Sequence, residues 1–220
     1  KINQMNKLFS TLAVVALSAL SLNAQIKEGV IEYEVVFDGL SAEMLVKMGE
    51  SKTVLSFKNK KTCSEVTSSI YTLTTVADSN QVLSLMTQFG KKMGVIKTVE
   101  EIKEEKKGIL ESKIEYLNET KTIAGYACKK AIYTTYDSDK QKTEQEVWYC
   151  DKFINANYYF KGIKGTVLEY INQAPGYTIR TVAKKVSLEP VSDQIFIPST
   201  KEYNMMSVKK WNANFGGNKK

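Results

Sequence analysis

The sequence predicts a mainly β protein built on an antiparallel sheet. Three observations predict it. Apolar and polar residues alternate with period two through most of the chain, as where Ile31, Tyr33, Val35 and Phe37 share one face and Glu32 and Glu34 the other. Turn residues punctuate these runs at Asp78-Ser79-Asn80, Phe89-Gly90, Asn118-Glu119, Pro175-Gly176 and around Pro190. Long helical segments between the strands are absent, which argues against a parallel α/β fold. Alternation alone also fits a β-sandwich or a closed barrel.

Taken in order, the first segment reads as an address. Lys7 follows Met5, an apolar run extends from Leu8 to Leu22, and Leu22-Asn23-Ala24 precedes Gln25. That is a positive n-region, an h-region and a small residue at a cleavage point. The run is short against the about 20 residues of a membrane span, although a buried N-terminal helix or an anchor would use similar residues. Lys1–Gln4 stand before the methionine and read as upstream sequence. With no cysteine at the cut, a lipid-anchored N-terminus is not expected. Residues 1–24 are therefore read as a signal peptide and 25–206 as a single domain. Residues 207–220, basic and rich in Asn and Gly beyond Trp211, read as a frayed tail. The expected location is the periplasm, the cell envelope or the medium, with no transmembrane span in the mature chain.

Strands are expected where the alternation is clearest. After Ile31–Phe37 comes Thr53–Lys58, with Leu55 and Phe57 on one face. Further runs cover Thr62–Val76, Val82–Thr87, Lys92–Val99, Ile109–Leu117, Gly125–Tyr136, Glu144–Cys150, Gly165–Asn172, Tyr177–Glu189 and Gln194–Ile197. Two segments read as short helices. Ser41–Gly49 has a capping serine, an acid in the first turn and a terminal glycine. Its Met44, Leu45 and Met48 form a stripe suited to packing on the sheet, or to a flexible lid over an apolar cavity. Val99–Lys107, rich in Glu and Lys, reads as one or two exposed turns.

The composition excludes several chemistries. The 220-residue chain has no histidine, so no Ser-His-Asp or Cys-His nucleophile system and no histidine metal site is available. Its net charge of +7 is spread along the chain as isolated lysine pairs, which read as a solvated face or a weak attraction to anionic surfaces, not as a nucleic-acid site. Phosphate loops and dinucleotide fingerprints are absent, and Gly162-Ile163-Lys164-Gly165 is a weak turn signal. Asp137-Ser138-Asp139 lacks the distal Glu of a calcium loop. No metal, cofactor or catalytic residue is expected, and the protein is not expected to be an enzyme. Trp148 reads as packing within a hairpin.

Export makes cysteine spacing informative. Cys128 and Cys150 lie in two runs joined by Asp137-Ser138-Asp139-Lys140, and the midpoint of the pair is Asp139. A hairpin centred there sets the two opposite each other, at about 4.5–5.5 Å between Cα atoms, within the range a disulfide tolerates. A Cys128–Cys150 bridge is therefore expected, with Cys63 unpaired; bridges from Cys63 to either partner remain open.

Three stretches resemble an exported bacterial family of unassigned function, the DUF 4412 type, and more distantly the secreted GLPGLI family. Lys121-Thr122-Ile123-Ala124-Gly125-Tyr126-Ala127-Cys128-Lys129-Lys130-Ala131 is similar to their "I-x-G-Y-x-C-K-K-A" strand. Val147-Trp148-Tyr149-Cys150 is similar to their "W-Y" strand. Glu189–Pro198 is similar to their closing "P-hydrophobic-S/D-x-x-F-x-hydrophobic-P" element. The GLPGLI motif itself is missing, and Phe160–Tyr170 keeps only its G-hydrophobic-x-G and L-E-hydrophobic skeleton. The resemblance implies a LolA/LolB- or LppX-like half-barrel: a curved antiparallel sheet with one or two short helices on its concave face. Such a fold would enclose a cavity for a lipid, a lipidated protein or another apolar ligand. The residues expected to line it are Tyr33, Val35, Phe37, Leu55 and Phe57, with Met44 and Met48 above. The other expectation is a cell-envelope interaction protein that offers a sheet edge or basic face to an envelope protein and holds no small ligand.

Overall fold

The computed structural model describes residues 25–107, 110–137 and 139–215, so the expected signal peptide 1–24 lies outside the described residues. The fold is mainly β, a single open and curved sheet. Its strands are β1 (Glu28–Asp38), β2 (Lys52–Lys58), β3 (Lys61–Thr67), β4 (Tyr71–Ala77), β5 (Gln81–Gln88), β6 (Lys91–Thr98), β7 (Lys113–Ile123), β8 (Tyr126–Tyr136), β9 (Lys142–Cys150), β10 (Thr166–Ala174), β11 (Tyr177–Ser187) and β12 (Asn204–Met205). They lie in the order β12-β6-β5-β4-β3-β2-β1-β11-β10-β9-β8-β7. Pairing is antiparallel except where β12 joins β6. Tight turns connect β2 to β6 in sequence, and one long-range pairing, β1 with β11, joins the two halves.

Three expected strands differ. The run Ile109–Leu117 and the turn expected at Asn118-Glu119 are replaced by the single strand β7, which starts at Lys113 and passes through 118–119 with a register shift between Tyr116 and Thr120. The run Thr62–Val76 is split into β3 and β4, because the Ser68 hydroxyl accepts the Tyr71 N–H at 3.2 Å and closes a turn. The run Gln194–Ile197 is a 3-10 turn over Asp193–Phe196. Ser192 caps it by accepting the Gln194 N–H at 3.3 Å. Phe196 then buries with Val191 against Cys63, Val76 and Leu83 on the outer face of β3–β5.

The inner face is strongly curved. Five strand steps separate β4 from β10; a flat sheet would hold them about 24 Å apart. Yet the Tyr159 hydroxyl contacts Thr75 on β4 while the same side chain lies beside Tyr170 on β10. The connection from β9 to β10, residues 151–165, crosses this concave face as a strap. Its Phe160 and Ile163 bury against Tyr133, Val147, Tyr149 and Val167. Its Phe153 stands edge-on to Phe57, with ring centroids 6.1 Å apart.

The strap ends at Gly165, where φ is +130° and an added Cβ would lie 2.1 Å from the Cys150 carbonyl oxygen. The weak Gly162–Gly165 turn signal is thus the exit by which the strap re-enters the sheet.

The three helices among the described residues are α1 (Ala42–Met48), α2 (Val99–Glu105) and α3 (Val208–Phe215). α1 has the caps the sequence gives it. Ser41 accepts the Met44 N–H at 3.3 Å, and Gly49, at φ 64°, ends the helix by donating to the Leu45 carbonyl. α2 carries a full capping box between Thr98 and Glu101. It lies with α3 on the concave side at the β6 end, where Lys97 bonds both Glu105 and Asn212. The segment that composition reads as a frayed tail therefore contains a packed helix, with Trp211 buried. None of the helices among the described residues is long and apolar enough to cross a membrane.

Candidate functional site

Strand register assembles one lined surface on the concave face. Tyr33 pairs with Thr53, and Thr53 with Val66. Leu55 pairs with Ser64, and Ser64 with Thr75. Tyr170 pairs with Thr181 from the other half of the sheet. The strap closes over these residues with five consecutive side chains, Ala156-Asn157-Tyr158-Tyr159-Phe160. Between strap and sheet lies a cavity of about 80 Å³.

The strap is held by main-chain anchors at both ends of this stretch. The Val167 N–H donates to Asn157 Oδ1 at 2.7 Å, and the Ala156 N–H to Thr166 Oγ1 at 3.3 Å. Asn155 Nδ2 donates to the Phe160 carbonyl at 2.9 Å. Phe160 stacks edge-on between Tyr133 and Tyr170, at 5.3 and 5.1 Å. Tyr159, by contrast, is 67 % exposed.

No charged side chain lines the cavity. Burial pushes the Tyr33 and Tyr170 phenols above their ordinary range, so neither ionises near neutral pH. The lining is an apolar floor of Leu55, Val66 and Phe160 with a rim of hydroxyls. Such a surface accepts an uncharged group and penalises an ion, because a buried charge needs a partner. Among the described residues no cluster of His, Cys, Asp or Glu could hold a metal ion.

A second depression, a cleft of about 920 Å³, opens where β1 runs past the start of β2. Tyr33, Val35 and Phe37 line it, with Leu45 and Val46 of α1 and the Gly49–Lys52 segment. Tyr33 thus belongs to both hollows.

The outer face of β7–β11 carries charge instead. Glu169, its side chain 5 % exposed, receives Lys121 at 2.8 Å and Arg180 at 3.0 Å. Burial opposes its ionisation, but hydrogen bonds from Arg180 and Lys121 outweigh burial and hold the carboxyl below the ordinary range. Lys121 also sits 4.0 Å over the Trp148 ring, whose indole N–H donates to Glu146 at 3.0 Å. Trp148 is therefore packing within the sheet.

The residues expected to line a cavity are dispersed. Tyr33 and Leu55 line the enclosed cavity; Val35 and Phe37 line the open cleft. Phe57 is fully buried in the core against Phe153. Met44 is exposed and lines neither hollow. The Met48 side chain lies outside the described residues. The lid is the strap, which sequence alternation did not mark. A readable signal was there: the connection 151–165 is long for an antiparallel link and holds the aromatic run Tyr158-Tyr159-Phe160.

The expected Cys128–Cys150 disulfide is unconfirmed. All three cysteines are free thiols in this structure. The register runs from Tyr136↔Lys142 to Lys129↔Tyr149, so one more step sets Cys128 opposite Cys150. Cys128 Sγ donates to the Tyr126 carbonyl at 3.4 Å. Interaction between the two neighbouring thiols lowers that of Cys150 and, with burial, raises that of Cys128. Burial pushes the Cys63 thiol up to about 11, which lowers its thiolate fraction near neutral pH.

No family model matches the sequence, and no curated protein matches it. The family resemblance thus rests on the motifs alone. Among solved structures, PNGF-II is similar at 15 % identity and a TM-score of 0.53 over 87 % of this chain. The match covers 34 % of the PNGF-II chain, so this chain spans about a third of that protein. LprF from Mycobacterium bovis is matched at 11 % identity over 78 % of this chain and 89 % of its own, with a TM-score of 0.32. A putative outer membrane lipoprotein-sorting protein domain from Vibrio parahaemolyticus is matched at 8 % identity over 83 % and 94 %, with a TM-score of 0.25. The likeness to PNGF-II is one of fold.

Proposed function

We propose that this chain is an exported, non-enzymatic binding protein that holds an uncharged apolar ligand, a lipid or a lipidated segment, between its curved sheet and the strap. The observation that carries this reading is the cavity itself: two halves of the sheet and five consecutive strap residues converge on it without a single charge. Apolar groups entering it gain about 0.8 kcal/mol per buried CH₂. At about 80 Å³ the closed cavity takes only the end of such a ligand; small-molecule sites run to about 300–1,000 Å³. A longer chain enters by displacing Tyr158 and the exposed Tyr159, while the anchors at Asn157 and Thr166 keep the strap's base in place. Export is supported by Ile26, which already bridges Phe153 two residues past the expected cleavage point.

The test is titration of the chain with N-phenyl-1-naphthylamine, a neutral apolar fluorophore. Saturable fluorescence enhancement is expected, and Val66→Lys, at a half-buried lining position, abolishes it while the circular dichroism stays native. No saturable signal from the wild type, or equal binding by Val66→Lys, overturns the reading.

A further inference from the structure

β1 is longer than the strand beside it. On the β11 side its pairing continues through Val35↔Thr181 to Asp38↔Thr178. On the β2 side pairing stops at Glu34↔Lys52. The chain cannot continue that ladder, because α1 ends at Gly49 and the backbone turns there, with Ser69 2.9 Å from where a Cβ would stand.

The orientation of the leftover groups follows from the ladder. The Asn59 N–H donates to the Lys27 carbonyl, which makes 27 and 59 a hydrogen-bonded pair. In an unshifted antiparallel ladder such pairs recur every second residue, so the odd-numbered residues of β1 direct their N–H and C=O toward β2. Val35 and Phe37 therefore present two N–H and two C=O groups to the cleft. Among the described residues no main-chain partner meets them there. Both residues are half-buried, and Leu45 and Val46 stand exposed across the cleft.

The outer edges of the sheet are blunted. β7 carries Lys113, Glu115, Glu119 and Lys121, and β12 covers β6. Charges and cover are how edge strands avoid pairing. The Val35–Phe37 stretch of the edge inside the cleft has no charged side chain of its own and no strand over it; Glu34, Glu50, Lys52 and Lys184 stand around it.

We infer that the Val35–Phe37 edge is a docking site for an extended segment of another polypeptide, which adds a short strand between β1 and α1. Alternating main-chain donors and acceptors, about 6.6–6.8 Å apart at every second residue, are complemented by an extended peptide backbone. A hydrocarbon chain would leave them unpaired, at a cost for each group. The 920 Å³ cleft has room for such a strand. Phe37, Leu45 and Val46 select apolar side chains on one of its faces.

The experiment uses ¹⁵N-labelled protein and a ten-residue synthetic peptide of alternating valine and threonine, with lysine at each end and both termini blocked. In the free protein the Val35 and Phe37 amides exchange rapidly while that of Val36 is protected. Saturation with peptide slows exchange at Val35 and Phe37 by about tenfold or more. The same peptide N-methylated at alternate residues does not bind. Phe37→Pro removes a cleft-facing donor without touching the β11 ladder, so it loses the peptide and keeps the fold. No change at these amides, or equal binding of the N-methylated peptide, overturns the inference. Protection of the same amides by self-association before peptide is added also overturns it, by naming a second copy as the occupant. The fluorophore titration reads the enclosed cavity separately, so either result can fail without the other.

Discussion

The Tyr33 hydroxyl donates a 2.8 Å hydrogen bond to the Val167 carbonyl, 134 residues away in sequence. The bond ties β1 to β10 where the register of β10 against β9 shifts between Val167 and Glu169. Val167 also gives its N–H to Asn157 of the strap. One residue thus joins the cavity wall to the base of its cover. Tyr33→Phe keeps the ring and leaves the buried Val167 carbonyl without this donor. The expected loss is about 1–2 kcal/mol in urea unfolding with an unchanged m-value. An unaltered midpoint would mean that the bond does not hold the strap.

Glu169→Gln removes the charge that Lys121 and Arg180 share. Because both cations are partly solvated, the expected cost at neutral pH is about 1–3 kcal/mol, below that of a fully buried pair. The pH dependence has a definite sign. The carboxyl sits below its ordinary range in the folded state, so its contribution is complete above the unfolded-state value of about 4.3 and is lost as pH falls through the lower folded value. The deficit of Glu169→Gln should therefore shrink between pH 7 and pH 3. A deficit that stays constant over that interval contradicts the assignment.

The free thiols of Cys128 and Cys150 are placed to close. Oxidised glutathione should convert both to one disulfide, releasing two equivalents of reduced glutathione, while Cys63 stays a thiol. In the chain-entropy model the bridge contributes roughly 3 kcal/mol. Peptide mapping reads the connectivity and a melting curve the gain. A mixed disulfide on Cys63, or no gain in melting temperature, would show that the register alone does not make a bridge.

Gly165→Ala places a methyl group against the Cys150 carbonyl in a backbone conformation that L side chains rarely adopt. A loss of about 2–4 kcal/mol is expected. Gly176→Ala is the comparison: it too has positive φ, but its added Cβ meets nothing within 4 Å. It should cost clearly less, and equal losses would mean that φ rather than the close approach sets the cost.

The strap separates binding from stability. Phe160→Ala, at a residue 5 % exposed, should cost about 3–5 kcal/mol. Tyr159→Ala, at the exposed side chain, should stay within about 0.5 kcal/mol of the wild type. It should nevertheless change fluorophore affinity. Unchanged affinity would remove Tyr159 from the path of entry.

Local rules made much of the sheet legible. Alternation found β2, β5, β6, β8, β9, β10 and β11 to within a residue or two, found β1 three residues short at its start and misplaced β7, and Ser41 and Gly49 fixed α1 from its caps alone. What α1 packs against is non-local, and its Met44 and Val46 face solvent instead of the concave face. The site was hidden for two reasons. Thr53, Ser64, Thr75 and Thr181 read as the solvent side of an alternating strand, yet they face the cavity. The strap has no periodicity, and only its length and its aromatic run set it apart. The open edge at Val35 and Phe37 required the register of β1 against both neighbours, which no single segment encodes.

The central claim is an uncharged apolar ligand beneath the strap. Native mass spectrometry of the protein, purified without detergent from cells that export it and followed by organic extraction, tests it most directly. The account predicts an adduct of defined mass, recovered as a neutral apolar molecule or the apolar end of a lipid, and missing from Val66→Lys. A bare-chain mass with nothing extracted, or an adduct that Val66→Lys retains, would contradict it.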